Sequence, residues 1–215
     1  MVCAGCGSCA ALCPSQAIAY DDPPVAALLR RIETLAATYR AAGGVAPRLL
    51  VHDEGHGAEM IRLSARFGRG LPADVIPLAL STIAGFGHAE MLASLAHGFA
   101  AVDVLLAPTT ERDALDREIV LAEAIAGAGK LRLLDVADPD AMSDALYDEA
   151  APAPLADPVL PMGSRRQITR LAAQALNPGA EAPLPLPDGA PYGAVEVDTE
   201  SCTLCLSCVS LCPSG

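Results

Sequence analysis

Four short apolar runs decide the fold: RLLVH at residues 48–52, DVIPLAL at 74–80, VDVLLA at 102–107 and LRLLDV at 131–136. Each is too short for an independent helix and suits a strand buried on both faces. Between them the apolar period changes to that of a helix. Val25, Leu28, Leu29, Ile32, Leu35, Ala36 and Tyr39 share one helical face before Gly43 and Gly44 stop the pattern. Further helices are expected over 58–67 (ended by Gly68), 89–99, 112–128 and 139–149. Strands alternating with helices specify βαβ units and a parallel sheet covered on both faces. The expectation is therefore an α/β fold, a small three-layer domain over residues 24–150.

Beyond this domain the composition shifts. Residues 150–161 read AAPAPLADPVLP, too rich in proline for regular structure. Ser164 caps an expected helix over 165–176, on which Arg165, Arg166 and Arg170 make a small basic face. That face reads as solvated, with the alternative that it grips an acidic partner. More proline follows, so residues 151–192 read as a linker carrying one short helix. The alternating AVEVD at 194–198 suggests a last strand within a C-terminal segment, 193–215.

All eight cysteines lie at the two ends. CAGCGSCAALCPSQ at 3–16 aligns with CTLCLSCVSLCPSG at 202–215, sharing the four cysteines, Ser8/Ser207, Leu12/Leu211, Pro14/Pro213 and Ser15/Ser214. Each repeat is a Cys-x-x-Cys-x-x-Cys-x-x-x-Cys-Pro run, the pattern by which bacterial ferredoxins hold [4Fe–4S] clusters. The spacing lets one tight loop offer three thiolates to three corners of a cubane. Small residues at Gly5, Gly7, Ser8, Ala10 and Ala11 let backbone N–H groups approach the sulfurs, whereas Leu204 and Leu206 make the second loop bulkier. The candidate iron ligands are Cys3, Cys6, Cys9 and Cys13 in one run and Cys202, Cys205, Cys208 and Cys212 in the other, for up to two clusters. Structural zinc would need four ligands, usually as two pairs across a longer loop. A disulfide framework would scatter cysteines through a small secreted chain.

Both runs resemble the halves of bacterial two-cluster ferredoxins. In that family each half has a strand before its first cysteine and a short helix after Cys-Pro, and the fourth cysteine serves the other cluster. Here the strand precedes only the C-terminal run and the continuation follows only the N-terminal run. Two arrangements stand. In one, the runs close a single module around the inserted α/β domain, with Cys3, Cys6, Cys9 and Cys212 on one cluster and Cys202, Cys205, Cys208 and Cys13 on the other. In the other, each run (1–20 and 193–215) is half of a separate module within a longer polyferredoxin.

Residues 46–148, through their strand–helix order and the phrase GFAAVDVLLAP, resemble the delta-subunit domain of methyl-viologen-reducing hydrogenases. The resemblance implies a [2Fe–2S] cluster bound by cysteines in the loops after the strands. The corresponding loops here, 52–56, 81–85 and 108–112, contain no cysteine, so a docking or scaffold role is expected instead.

Other chemistry is sparse. His52, Asp53, Glu54 and His56 follow a strand and have the types to bind a divalent metal, with His88 as a further ligand; the alternative is a solvated loop. Gly85-Phe86-Gly87 lacks the third glycine of a dinucleotide fingerprint, and neither a P-loop nor a serine nucleophile elbow occurs. The net charge of −12, with Lys130 the only lysine, argues against nucleic acid and fits docking to basic redox partners. No apolar run approaches the roughly 20 residues of a membrane span. The expectation is a cytoplasmic electron carrier, not itself an enzyme, working with redox partners. One alternative is the electron-wiring subunit of a formate dehydrogenase, hydrogenase or heterodisulfide-reductase-like complex; another is an Fe–S accessory module for molybdoenzyme maturation.

Overall fold

The computed structural model describes residues 3, 5–13, 17–148, 152–193 and 196–211. The strands are β1 (Arg48–Asp53), β2 (Val75–Leu80), β3 (Ala101–Leu105) and β4 (Leu131–Leu134), in the order β2-β1-β3-β4 with every pairing parallel. Arg48 pairs with Val75 on one side and Ala101 on the other, which puts β1 and β3 at the centre. The helices are α1 (Ser8–Ala11), α2 (Val25–Ala41), α3 (His56–Phe67), α4 (His88–Ala96), α5 (Arg112–Ala126), α6 (Pro139–Tyr147), α7 (Arg165–Leu176) and α8 (Ser207–Ser210).

Two apolar layers follow from the strand alternation. Leu49 and Val51 of β1 join Ile32 of α2, Leu92 of α4 and Leu121 of α5, while Leu50 joins Met60 of α3 and Met142 of α6 on the opposite face. Helices thus cover both faces, and the fold is α/β with a parallel three-layer core. Every residue of α4 is buried, including the polar His88, Glu90 and Ser94 among its apolar majority.

Boundaries shift by a few residues. The helix expected over 89–99 stops at Ala96, because Gly98 takes φ 100° and turns the chain into β3. In α6, Asp138 caps the helix by accepting from Ala141 N at 2.8 Å, with Pro139 in the first turn. α7 begins at a capping box in which Gln167 N donates to Ser164 Oγ at 3.3 Å and Ser164 N donates to Gln167 Oε1 at 2.8 Å.

Two features differ from the expectations. The segment read as a linker lies on the domain: Ile168 packs with Leu29 and Ala93, Ala172 joins the main core, and Leu184, Leu186 and Tyr192 pack against it. The strand expected over 194–198 is absent from residues 196–198, and residues 194 and 195 lie outside the described residues. No helix among the described residues is long and apolar enough to cross a membrane.

Candidate iron–sulfur sites

The two cysteine loops adopt one backbone shape. Gly5 and Gly7 have φ 70° and 79°, and their counterparts Leu204 and Leu206 have φ 55° and 59°. In both loops a single helical turn follows. Ala10 N and Ala11 N donate to Gly7 O at 3.0 and 3.1 Å, and Val209 N and Ser210 N each donate to Leu206 O at 3.1 Å. Left-handed backbone is natural for glycine but costs a leucine about 1–2 kcal/mol. The second loop keeps it with leucine at both positions.

The serine contacts repeat as well. Cys6 Sγ and Ser8 Oγ are hydrogen-bonded at 3.3 Å, and Cys205 Sγ and Ser207 Oγ at 3.4 Å. The Ser8 hydroxyl and backbone N–H lower the Cys6 thiol below its ordinary range, and the Ser207 hydroxyl, with the Ser207 backbone and the Thr203 side chain, brings Cys205 down to about 7. Both effects favour the thiolate that iron requires. In the first loop Gly5 N donates to Cys3 Sγ at 3.4 Å, an N–H···S contact of the kind that tunes a cluster. Cys3, Cys9, Cys202, Cys205 and Cys208 are exposed, and Cys6 and Cys13 half-buried; Cys212 lies outside the described residues. These donors fit a [4Fe–4S] group. Among the described residues no three His, Cys, Asp or Glu groups converge as for a single metal ion.

The loops differ in their surroundings. The N-terminal loop sits on the carboxyl end of the sheet, where open α/β sheets receive ligands. Thr82, just after β2, donates from Oγ1 to Cys6 O at 3.0 Å, and the charge of Glu111, after β3, weakly opposes the lowering of the Cys6 thiol. Tyr20 Oη donates to Gly5 O at 2.6 Å. Arg165 donates from Nη1 to Ala10 O, and its Nε meets Glu90 Oε1 at 2.7 Å. The seat is close at Gly7, where a Cβ would stand 3.3 Å from Gly85 Cα. Gly87 is equally tight, since a Cβ there would lie 3.2 Å from Ala11 Cβ. By contrast Leu204, Leu206, Val209 and Leu211 of the C-terminal loop are 63–80% exposed.

The other candidates have structural work. Asp53 caps α3, its carboxylate accepting from Gly55, His56 and Gly57 N–H groups at 3.2, 2.9 and 2.6 Å, and His52 Nδ1 is 2.8 Å from the Asp53 carbonyl oxygen. His88 is buried between Glu118 Oε2 (2.5 Å from Nδ1) and Tyr192 Oη (2.6 Å from Nε2). The basic face on α7 is a correction: Arg165 is buried, Arg166 lies over the Tyr192 ring and only Arg170 stands exposed. A buried partner 75 positions away leaves no local signal, although Glu90 in a mostly apolar helix was a visible clue.

Comparison with known proteins bears on one end of the chain. The 4Fe-4S binding domain family matches residues 195–215. No curated protein and no solved structure matches the chain. The C-terminal segment is thus a ferredoxin-type [4Fe–4S] binding domain, and the chain has an iron–sulfur electron-transfer role.

Proposed function

We propose that the chain carries two [4Fe–4S] clusters, one at each cysteine run, and passes electrons between redox proteins. Cys3, Cys6 and Cys9 hold three corners of one cluster and Cys202, Cys205 and Cys208 three corners of the other; Cys13 and Cys212 supply the fourth thiolates. The observation that carries this reading is the shared backbone of the two loops: the run within the matched segment is repeated at the N terminus down to the left-handed positions and the serine contacts. A bound cluster supplies reversible one-electron chemistry. The chain's own residues hold the thiolates, present N–H groups to them and set how much water reaches them.

In the proposed division of labour, residues 1–20 and 193–215 are the cluster-binding ends and residues 24–150 the scaffold. The scaffold fixes the N-terminal site, while the exposed apolar rim of Leu204, Leu206, Val209 and Leu211 favours docking to a redox partner. That rim also supports a second reading, an electron-wiring subunit of a larger oxidoreductase. Potentiometric titration of the reconstituted chain, followed by EPR, tests the proposal. Two one-electron components are expected, one lost in Cys6→Ser and the other in Cys205→Ser. A Cys6→Ser chain with unchanged iron and an unchanged titration would overturn it.

A further inference from the structure

We infer that Tyr20, Thr82 and Arg165 are positioning residues for the N-terminal cluster, which makes its reduction potential depend on the surroundings of the loop as well as on the loop itself. The inference rests on the reading that the N-terminal run binds a cluster. The two loops share their backbone, their serine–cysteine contacts and their one-turn helices, so they differ chiefly in what surrounds them. In the N-terminal loop three carbonyls, those of Gly5, Cys6 and Ala10, accept from Tyr20, Thr82 and Arg165. The three donors come from the segment after the loop, from the turn after β2 and from the first residue of α7. In the C-terminal loop no side chain of another element donates to the carbonyls of Leu204, Cys205 or Val209 among the described residues.

The arrangement is built rather than incidental. Arg165 is 5% exposed and Glu90, which orients it, 1%. A buried ion pair is retained only where its geometry and extra hydrogen bonds offset desolvation, and the Ala10 carbonyl is such a bond. A donor on a carbonyl polarises the whole peptide unit. Tyr20 on Gly5 O sharpens the Cys6 N–H and Thr82 on Cys6 O the Gly7 N–H, whereas Arg165 on Ala10 O holds the turn in place, since the Ala11 N–H already donates to Gly7 O. N–H groups of such a loop would face the sulfurs of a bound cluster, where stronger donors stabilise the reduced, more negative state. Removing the Tyr20 or Thr82 donor therefore moves the N-terminal potential to a more negative value. The C-terminal cluster, on the same chain, is the internal standard.

The test uses the reconstituted full chain with Tyr20→Phe, Thr82→Val and Arg165→Lys, which respectively delete a hydroxyl, replace one isosterically and keep the charge opposite Glu90. Titration should show the component assigned by Cys6→Ser moving negative in Tyr20→Phe and Thr82→Val while the C-terminal component stays in place. In the cluster-free chain, amide exchange across residues 5–11 should be slower than across 204–210 and should accelerate in the variants. Two retained clusters with an unmoved N-terminal potential and unaltered exchange would overturn the inference alone. A Cys6→Ser chain that loses no iron would overturn the two-cluster reading and this inference with it.

Discussion

Leu204 stands where Gly5 stands in the other cysteine loop, and both hold left-handed backbone, φ 55° and 70°. The same holds for Leu206 and Gly7. One geometry is thus reached by two sequences, at no steric cost in the first loop and at about 1–2 kcal/mol per leucine in the second. Replacing Leu206 by glycine should relieve about 1 kcal/mol and slow iron release from the C-terminal cluster to a chelator. Gly7→Ala should do the reverse at the N-terminal cluster, because its Cβ would also press on Gly85 Cα at 3.3 Å. Equal release from wild type and both variants would contradict this account.

Glu90 and Arg165 form a buried pair, Oε1 to Nε at 2.7 Å. Glu90→Ala would leave a guanidinium buried without its partner, a loss of about 3–5 kcal/mol. Urea unfolding should report that loss, and Glu90→Ala combined with Arg165→Ala should recover part of it. A fully additive pair of losses would mean that the two side chains do not act together.

Gly87 has no room for a side chain. A Cβ would lie 2.5 Å from Glu118 Oε2, which is held by the His88 N–H at 2.7 Å, and 3.2 Å from Ala11 Cβ. Gly87→Ala should cost about 1–3 kcal/mol and loosen iron at the N-terminal run while sparing the C-terminal one. Iron retention measured in Cys6→Ser and Cys205→Ser backgrounds separates the two.

His97 is buried, and its Nε2 has no hydrogen-bond partner among the described residues. Burial first, and then the Arg40 charge, lower its pKa from 6.5 to about 4. The unfolded chain therefore takes up a proton between about pH 6.5 and 4 that the folded chain refuses, so stability is full above pH 6.5 and falls as the pH drops towards 4. The loss is at most about 3 kcal/mol. Urea midpoints of the cluster-free chain between pH 7 and 4.5 should fall less steeply in His97→Leu than in wild type. Parallel slopes would exclude His97 as the cause.

The strands were legible because parallel strands buried on both faces are written as continuous apolar runs, and 48–52 lies within the observed Arg48–Asp53. The helix over 165–176 was legible down to its cap, since Ser164 and Gln167 carry a local signal. Long-range placement left no such mark. Gly85-Phe86-Gly87 failed as a nucleotide motif, yet its Gly87 is what lets Ala11 of the N-terminal loop approach the domain. Arg165, Arg166 and Arg170 looked alike in sequence, and only packing against Glu90 and Tyr192 separates them. The proline-rich stretch likewise hid apolar anchors at Leu184, Leu186 and Tyr192, too widely spaced to show a period.

The fourth thiolates distinguish the two arrangements. If the runs close one module, Cys13→Ser should weaken the C-terminal cluster; if each run completes its own, it should weaken the N-terminal one. EPR of Cys13→Ser beside Cys6→Ser and Cys205→Ser reads which signal is lost.

The most direct test of the central claim is iron and acid-labile sulfide per chain after anaerobic reconstitution. Two clusters predict about eight of each, together with reduced-state EPR signals from both runs. About four of each, unchanged by Cys6→Ser and abolished by Cys205→Ser, would leave the C-terminal domain as the sole cluster site and contradict the account.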